Sequence, residues 1–278
     1  MQVIITADDF GASASINAAV MRAHREGVLT SASLMVCGDA AEEAVALARA
    51  TPDLAVGLHV VLAAGRPALA PEEIPHLVDA GGQLRSNPVW AGVEYALSQR
   101  ARSELAREVE AQFARYAATG LPLDHVDGHL HLHLHPAVLE HVLDLAERYS
   151  ASGVRVPRDD LWLSLPFDTQ RAPLKLVWAA TIGPLCRWAL GRLEGRRLRA
   201  VERVYGLMQS GRMSESYVVR ALETMRASTA EFYLHPDEAP ARHGLGPNPL
   251  DLATLLSPAV RDVIRRRGLH LASYTSLD

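Results

Sequence analysis

The sequence predicts an α/β fold: a parallel sheet covered by helices, in one domain of (β/α)-barrel size. Three observations carry that expectation. Short apolar runs alternate with amphipathic stretches along most of the chain, the pattern of βαβ units. The chain has 278 residues and 49% hydrophobic content, enough for one substantial core and close to the ~250 residues of a barrel. Polar clusters close four of the predicted strands, at the ends where parallel α/β folds assemble their sites.

In chain order, VIITA (3–7) reads as a buried strand. SINAAVMRAHREG follows with helical spacing, Ser15 as a cap and Gly27 as a stop. SASLMVCG is a second strand, DAAEEAVALARA a helix, and LAVGLHVVL (54–62) a third strand. Residues 63–97 are irregular, with four prolines and the pair Gly81-Gly82, and loops this long are often functional. A strong helix is expected over 98–119. LDHVDGH reads as a strand, and Pro136 as the first residue of another helix. GVRVP (153–157) is a strand. Residues 158–212 break the rhythm and read as an inserted helical segment. A helix near 214–226, the strand EFYLHP, a helix near 258–267 and the strand LHLASY complete about seven strands in a single domain, 1–278.

Composition excludes several classes. A net charge of −4 gives no support to nucleic-acid binding. Cys37 and Cys186 form no CxxC pair, so a reducing compartment is expected. The N-terminal residues lack the basic and apolar regions of a signal peptide. No run of ~18 apolar residues occurs. A cytoplasmic location is the expectation.

Five of the twelve histidines lie in HVDGHLHLHLHP, at 125, 129, 131, 133 and 135. In one extended strand the odd positions share a face, about 6.6 Å apart at ~3.3 Å per residue. A metal with ~2.1 Å ligand distances cannot reach them all, so the run supplies one or two ligands. The others would bond ligands, bind substrate or face solvent. Asp8-Asp9 closes the first strand. The pair is either an Asx-turn or a divided device, one carboxylate on a metal and the other free as a base. His59 and His235 fall near two further strand ends. One Asp and two His with open positions suit Zn²⁺ or a related divalent ion.

TADDFG (6–11), SASLMV (31–36), GLHVVL (57–62), DHVDGHLHLHLHP (124–136) and FYLHP (232–236) together resemble the YdjC-like carbohydrate deacetylases. The resemblance implies a distorted, TIM-like (β/α) barrel that removes N-acetyl groups from amino sugars with a divalent metal, Zn²⁺ or Mg²⁺. It implies Asp9, His59 and His129 as metal ligands and Asp8 as general base. His235 is the candidate acid, and His131, His133 and Arg155 are candidate substrate contacts. The chain has Asp127-Gly128 where the family often has Ser or Ala in the second position. REGVLTSASLMVCG, VGLHVVLAAGRPAL, VYGLMQSGRMSE and LLSPAVR resemble a hopanoid-biosynthesis subgroup, which implies an N-acetylglucosaminyl glycolipid substrate. The other classes weighed are a metal-dependent phosphoesterase or amidohydrolase and a non-catalytic sugar- or lipid-binding protein. Residues 171–203 carry eight basic side chains, and three of the four tryptophans lie in 158–203. That composition suits a helical lid in peripheral contact with an anionic membrane. A homodimer is the remaining expected partner, with no nucleic acid.

Overall fold

The computed structural model describes residues 1–240 and 245–278. The chain runs β1 (Gln2–Phe10), α1 (Ala14–Glu26), β2 (Ser31–Leu34), α2 (Ala41–Arg49), β3 (Ala55–Val60), α3 (Pro88–Leu97), α4 (Gln99–Ala118) and β4 (His125–Gly128). It continues through α5 (Leu139–Arg148), β5 (Gly153–Val154), α6 (Leu161–Ser164), α7 (Ala172–Leu193), β6 (Arg203–Tyr205), α8 (Glu215–Thr224), β7 (Thr229–Leu234), α9 (Pro249–Leu256), α10 (Pro258–Arg266) and β8 (His270–Ala272). The strands pair in the order β5-β4-β3-β2-β1-β7-β6, with β8 also on β1, and every pairing is parallel. Arg199 ties the two ends together: its carbonyl accepts from Val154 at 2.8 Å and its N–H donates to Ser152. The result is the distorted TIM-like α/β architecture expected, and among the described residues no helix is long and apolar enough to cross a membrane.

Alternation along the strands sorts side chains to two faces. On β1, Val3, Ile5 and Ala7 join the core under the helices, as do Phe232 and Leu234 on β7. The intervening residues face the barrel interior, and most of them are polar. Thr6, Asp8, Ser33, His59, His125, Asp127, Arg155 and Glu231 are all buried. Ile4, Val204, Tyr233 and Tyr274 form a small apolar floor among them. Tyr274 closes this interior from the C-terminal segment. Its ring stacks on His125 at 5.1 Å, its hydroxyl donates to Glu231 at 2.8 Å, and the Asp124 carboxylate accepts from Tyr274 N and Thr275 N.

Several sequence expectations need revision. The cap of α1 is Ser13, which accepts from Ile16 N, rather than Ser15; Gly27 ends the helix as expected. The strand expected through the histidine run stops at Gly128. His129–Leu134 coil into a 3-10 turn, with Leu130 and His131 at a left-handed φ of 56°, so these histidines do not share a strand face. The helix expected from Pro136 starts at Leu139. The segment 158–212 holds α6 and α7 but also β6, three residues too short to show a period.

Several basic side chains of the expected lid segment are engaged by the protein itself. Arg192 bonds Glu140, and Arg196 reaches Glu140, Asp144 and Glu147 on α5. The Arg197 backbone donates to Glu147, and Arg199 lies in the β-bridge beside β5. The side chains of Arg192 and Arg196 thus seat the segment on α5, while Lys175 is buried with its ammonium on the Ser164 carbonyl and Arg171 bonds Asp168.

Gly57 sets a tight fit inside the barrel, since a Cβ there would stand 2.4 Å from the His125 ring. Gly57→Ala is expected to destabilise the protein by about 1–3 kcal/mol, read as a lower urea midpoint with an unchanged m value.

Candidate metal centre

Asp9, His59 and His129 come together at the carboxyl ends of β1, β3 and β4. Their donor atoms all lie within 4.8 Å of one another. His129 Nδ1 is 3.1 Å and His59 Nε2 3.5 Å from Asp9 Oδ1. Asp9 sits at φ 63°, a left-handed conformation that Asp tolerates better than most residues. Strain held at such a point is a frequent mark of a functional site.

The surroundings fix the ligands. His59 Nδ1–H donates to Asp127 Oδ1 at 2.8 Å, and Nε2 points at the Asp9 oxygen. A proton on Nε2 accounts for this contact without an ion, and a divalent ion would take its place; a carboxylate behind a ligating histidine is the usual second contact of a metal site. Four carboxylates are buried here, Asp8, Asp9, Asp127 and Glu231, and Arg155 pairs with three of them, leaving Asp9 without a permanently charged partner among the described residues. This excess of negative charge also fits a divalent ion.

Electrostatics follow from these contacts. Burial works against ionisation of Asp9, yet His129 and His59 beside it hold its carboxyl well below the usual range. Burial likewise opposes charge on Asp127, and Arg155 and His59 overcome it. Burial opposes a charged His59 too, but Asp127 raises it well above the usual histidine range. His125 follows the same pattern: burial opposes its charge, and its hydrogen bond to Asp124 and the charge of Asp127 raise it.

Asp8 lies beside the triad, its two oxygens gripped by Arg155 at 2.7 and 2.9 Å. Oδ2 also faces His235 Nε2 at 3.9 Å, while His235 Nδ1 is buried with no partner among the described residues. His131 Nε2 is 2.9 Å from the Tyr233 hydroxyl. Burial, with His133 and Arg155 nearby, pushes its imidazole well below the usual range, so it stays neutral.

Two expected substrate contacts are corrected. Arg155 is fully buried, and its guanidinium is taken by Asp8, Asp127, Glu231 and, at 4.5 Å, the face of Tyr233. No edge remains for a sugar. His133 is also fully buried, with Nε2–H donating to the Arg155 carbonyl at 2.9 Å. It packs so closely on Gly128 that a Cβ there would stand 2.8 Å from its Nδ1.

Ser33, Glu231 and Tyr233, together with the His59-orienting role of Asp127, were not anticipated. Ser33 Oγ lies 2.9 Å from Asp127 and 3.0 Å from His125. Glu231 and Tyr233 alternate with outward Phe232 in EFYLHP, so a strand-period reading from His235 backward finds both.

The sequence profile of the family described as YdjC-like protein matches residues 2–266. The chain is 44% identical over 183 residues to a carbohydrate deacetylase of Brevibacillus brevis, covering 66% of this chain and 67% of that one. It is 30% identical to a carbohydrate deacetylase of Mus musculus, covering 100% and 95%. It is also 30% identical to a chitooligosaccharide deacetylase of Serratia marcescens, covering 99% and 98%. Some relatives are matched over little more than half their length, as with the Geobacillus stearothermophilus carbohydrate deacetylase, where the alignment spans 56% of that protein. The fold is similar to a crystal structure of a proposed cellobiose-phosphate cleavage protein from Enterococcus faecalis, with TM-score 0.74 and 23% identity over 99% and 98% of the chains.

Asp9→Asn is expected to abolish tight binding of a divalent ion. Asp127→Asn should weaken it by about 10–100-fold through loss of the His59 orientation, both read by metal titration calorimetry. A separate expectation concerns pH. Burial pushes His133 down to about 4, whereas the unfolded imidazole titrates near 6.5. Between these values the unfolded chain binds a proton the folded one refuses, so this contribution to stability is complete above pH 6.5. It falls by about 3 kcal/mol as pH drops to 4. Urea unfolding across that range should show a shallower pH slope in His133→Gln, whose amide can still donate to the Arg155 carbonyl.

Proposed function

The chain belongs to the YdjC-like family, and from that premise we propose that it is a metal-dependent carbohydrate deacetylase, hydrolysing the N-acetyl amide of an amino sugar. The observation that carries this reading is the pairing of the Asp9–His59–His129 triad with a second carboxylate outside it, Asp8, on the adjacent residue. The names of the relatives, carbohydrate and chitooligosaccharide deacetylases, support the same class.

A divalent cation held by Asp9, His59 and His129 would polarise the acetyl carbonyl and stabilise developing negative charge. The chain's own residues do the rest. Arg155 grips Asp8 as a carboxylate, with Oδ2 turned toward His235. Asp8 takes the proton of the attacking water. His235 delivers a proton to the departing amine, without which the amine is a poor leaving group. Asp251 positions His235 by accepting its backbone N–H at 2.9 Å. His131, partly exposed beside Tyr233, remains the candidate for a sugar hydroxyl.

The specific substrate we propose is an N-acetylglucosaminyl hopanoid, on the four sequence stretches similar to that subgroup. Exposed Trp162, Leu176 and Val177 on α6 and α7 give an apolar surface suited to such a lipid.

Acetate release from an N-acetylglucosaminyl hopanoid and from diacetylchitobiose, measured side by side with added Zn²⁺ or Mg²⁺, tests the reading. The glycolipid is expected to be the better substrate. Phosphate release from phosphomonoesters with no acetate release would favour a phosphoesterase instead. Asp8→Asn should keep its metal and lose about 10²–10⁴-fold in kcat; full activity in that variant removes Asp8 as the base.

A further inference from the structure

Away from the metal triad, α7 lies over the segment that joins β5 to α6 and over the start of β6, and a cleft of about 440 Å³ opens between them. That volume is within the ~300–1,000 Å³ range of small-molecule sites. None of its lining residues belongs to the triad or to the groups that hold it. One wall is a face of α7, where Trp178, Ile182 and Cys186 recur at four-residue spacing. Leu161, Leu207 and Met208 form the opposite wall. The Cys186 thiol, which burial pushes up to about 11, is neutral and adds no charge.

Three arginines, Arg158, Arg187 and Arg203, surround this apolar interior. Among the described residues their guanidinium groups have no hydrogen bond or ion pair. The contrast with the far end of the same segment is sharp, because Arg192 and Arg196 there are bonded to carboxylates of α5. Acidic residues do lie near the cleft, but the chain's own donors occupy them. Asp159 accepts from the backbone N–H of Asp160, Gly206 and Met208. Asp160 caps Leu163 N, and Glu202 accepts from Ser228 N and Oγ. The corner therefore presents guanidinium donors that no carboxylate of the described residues bonds, the lining Asp159 included, around a pocket of apolar side chains and one indole. Guanidinium groups match carboxylate and phosphate oxygens in a planar fork.

We propose that this cleft binds an amphiphilic organic anion, with a carboxylate or phosphate headgroup held by Arg158, Arg187 and Arg203 and an alkyl or aryl body against Trp178, Ile182 and Met208. Apolar area and opposite charge both contribute, so a chain without charge and a charge without chain each bind weakly. The site is independent of deacetylation and stands or falls without it.

The test is titration of the whole protein with decanoate and, in parallel, decyl phosphate, below the concentrations at which they form micelles. Calorimetry gives the affinity and Trp178 emission reports entry into the cleft. Saturable binding of at least one of the two is expected, with decanol and acetate at least tenfold weaker. The double variant Arg158→Gln/Arg187→Gln should bind at least tenfold more weakly at an unchanged melting temperature, since both side chains are exposed and bond nothing in the chain. Trp178→Phe should lose the emission change and keep the heat of binding. Absence of saturable binding by either anion overturns the proposal. So does equal affinity in the double arginine variant, or decanol binding as tightly as decanoate.

Discussion

One buried guanidinium organises the interior of this barrel. Removing a charge from water costs several kcal/mol unless it is paired and its donors are satisfied, and Arg155 meets that demand with three carboxylates from three strands. The arrangement acts in both directions. Asp8 and Asp127 are held in fixed orientations, and through Asp127 the same cation fixes His59. The position of the Asp9–His59–His129 cluster is thus set from below, by groups outside it. Replacing Arg155 with a neutral side chain would leave three carboxylates facing one another with no permanent cation among them.

The mouth of the barrel is held by less ordinary backbone. Asp9, Leu130 and His131 all sit at positive φ, and each borders the triad or the turn that carries His129. Such conformations persist only where the surroundings determine them. Here the contacts are the Asn17 side chain, which accepts from Gly11 N at 2.8 Å, and the His133–Arg155 bond that anchors the far end of the 3-10 turn. The strained turn lets His129 reach Asp9 although β4 ends one residue earlier, and the same turn takes His133 down into the barrel wall.

How far the sequence foretells this depends on period. Strands with clear apolar runs, such as VIITA and LAVGLHVVL, were legible, and so were the polar residues at their ends. Asp9, His59 and His129 were therefore singled out on pattern and family resemblance together, and the fold brings their donor atoms within 4.8 Å of one another. Arg155 and His133 were misplaced because both are polar and lie next to strand ends, where exposure is the ordinary expectation; their burial follows from partners on distant strands that local spacing does not reveal. The 3-10 turn was hidden by the alternating His-Leu sequence, which imitates a strand of period two. β6 was invisible because three residues carry no period at all.

The placement of β1 has a consequence for how the chain comes into being. This first strand is bonded along one edge to β7 and along the first part of its other edge to β8, partners that follow it by more than two hundred residues. At about 5–20 residues per second, a ribosome needs roughly 10–45 s to deliver them. During that interval β1 can pair only with β2, along its second half, and Asp8 lacks Glu231 to share its arginine. The nascent chain must hold the β7 edge of this strand open until the later part of its sequence arrives. Chaperone demand should accordingly fall on the early segments of this protein rather than on its late ones.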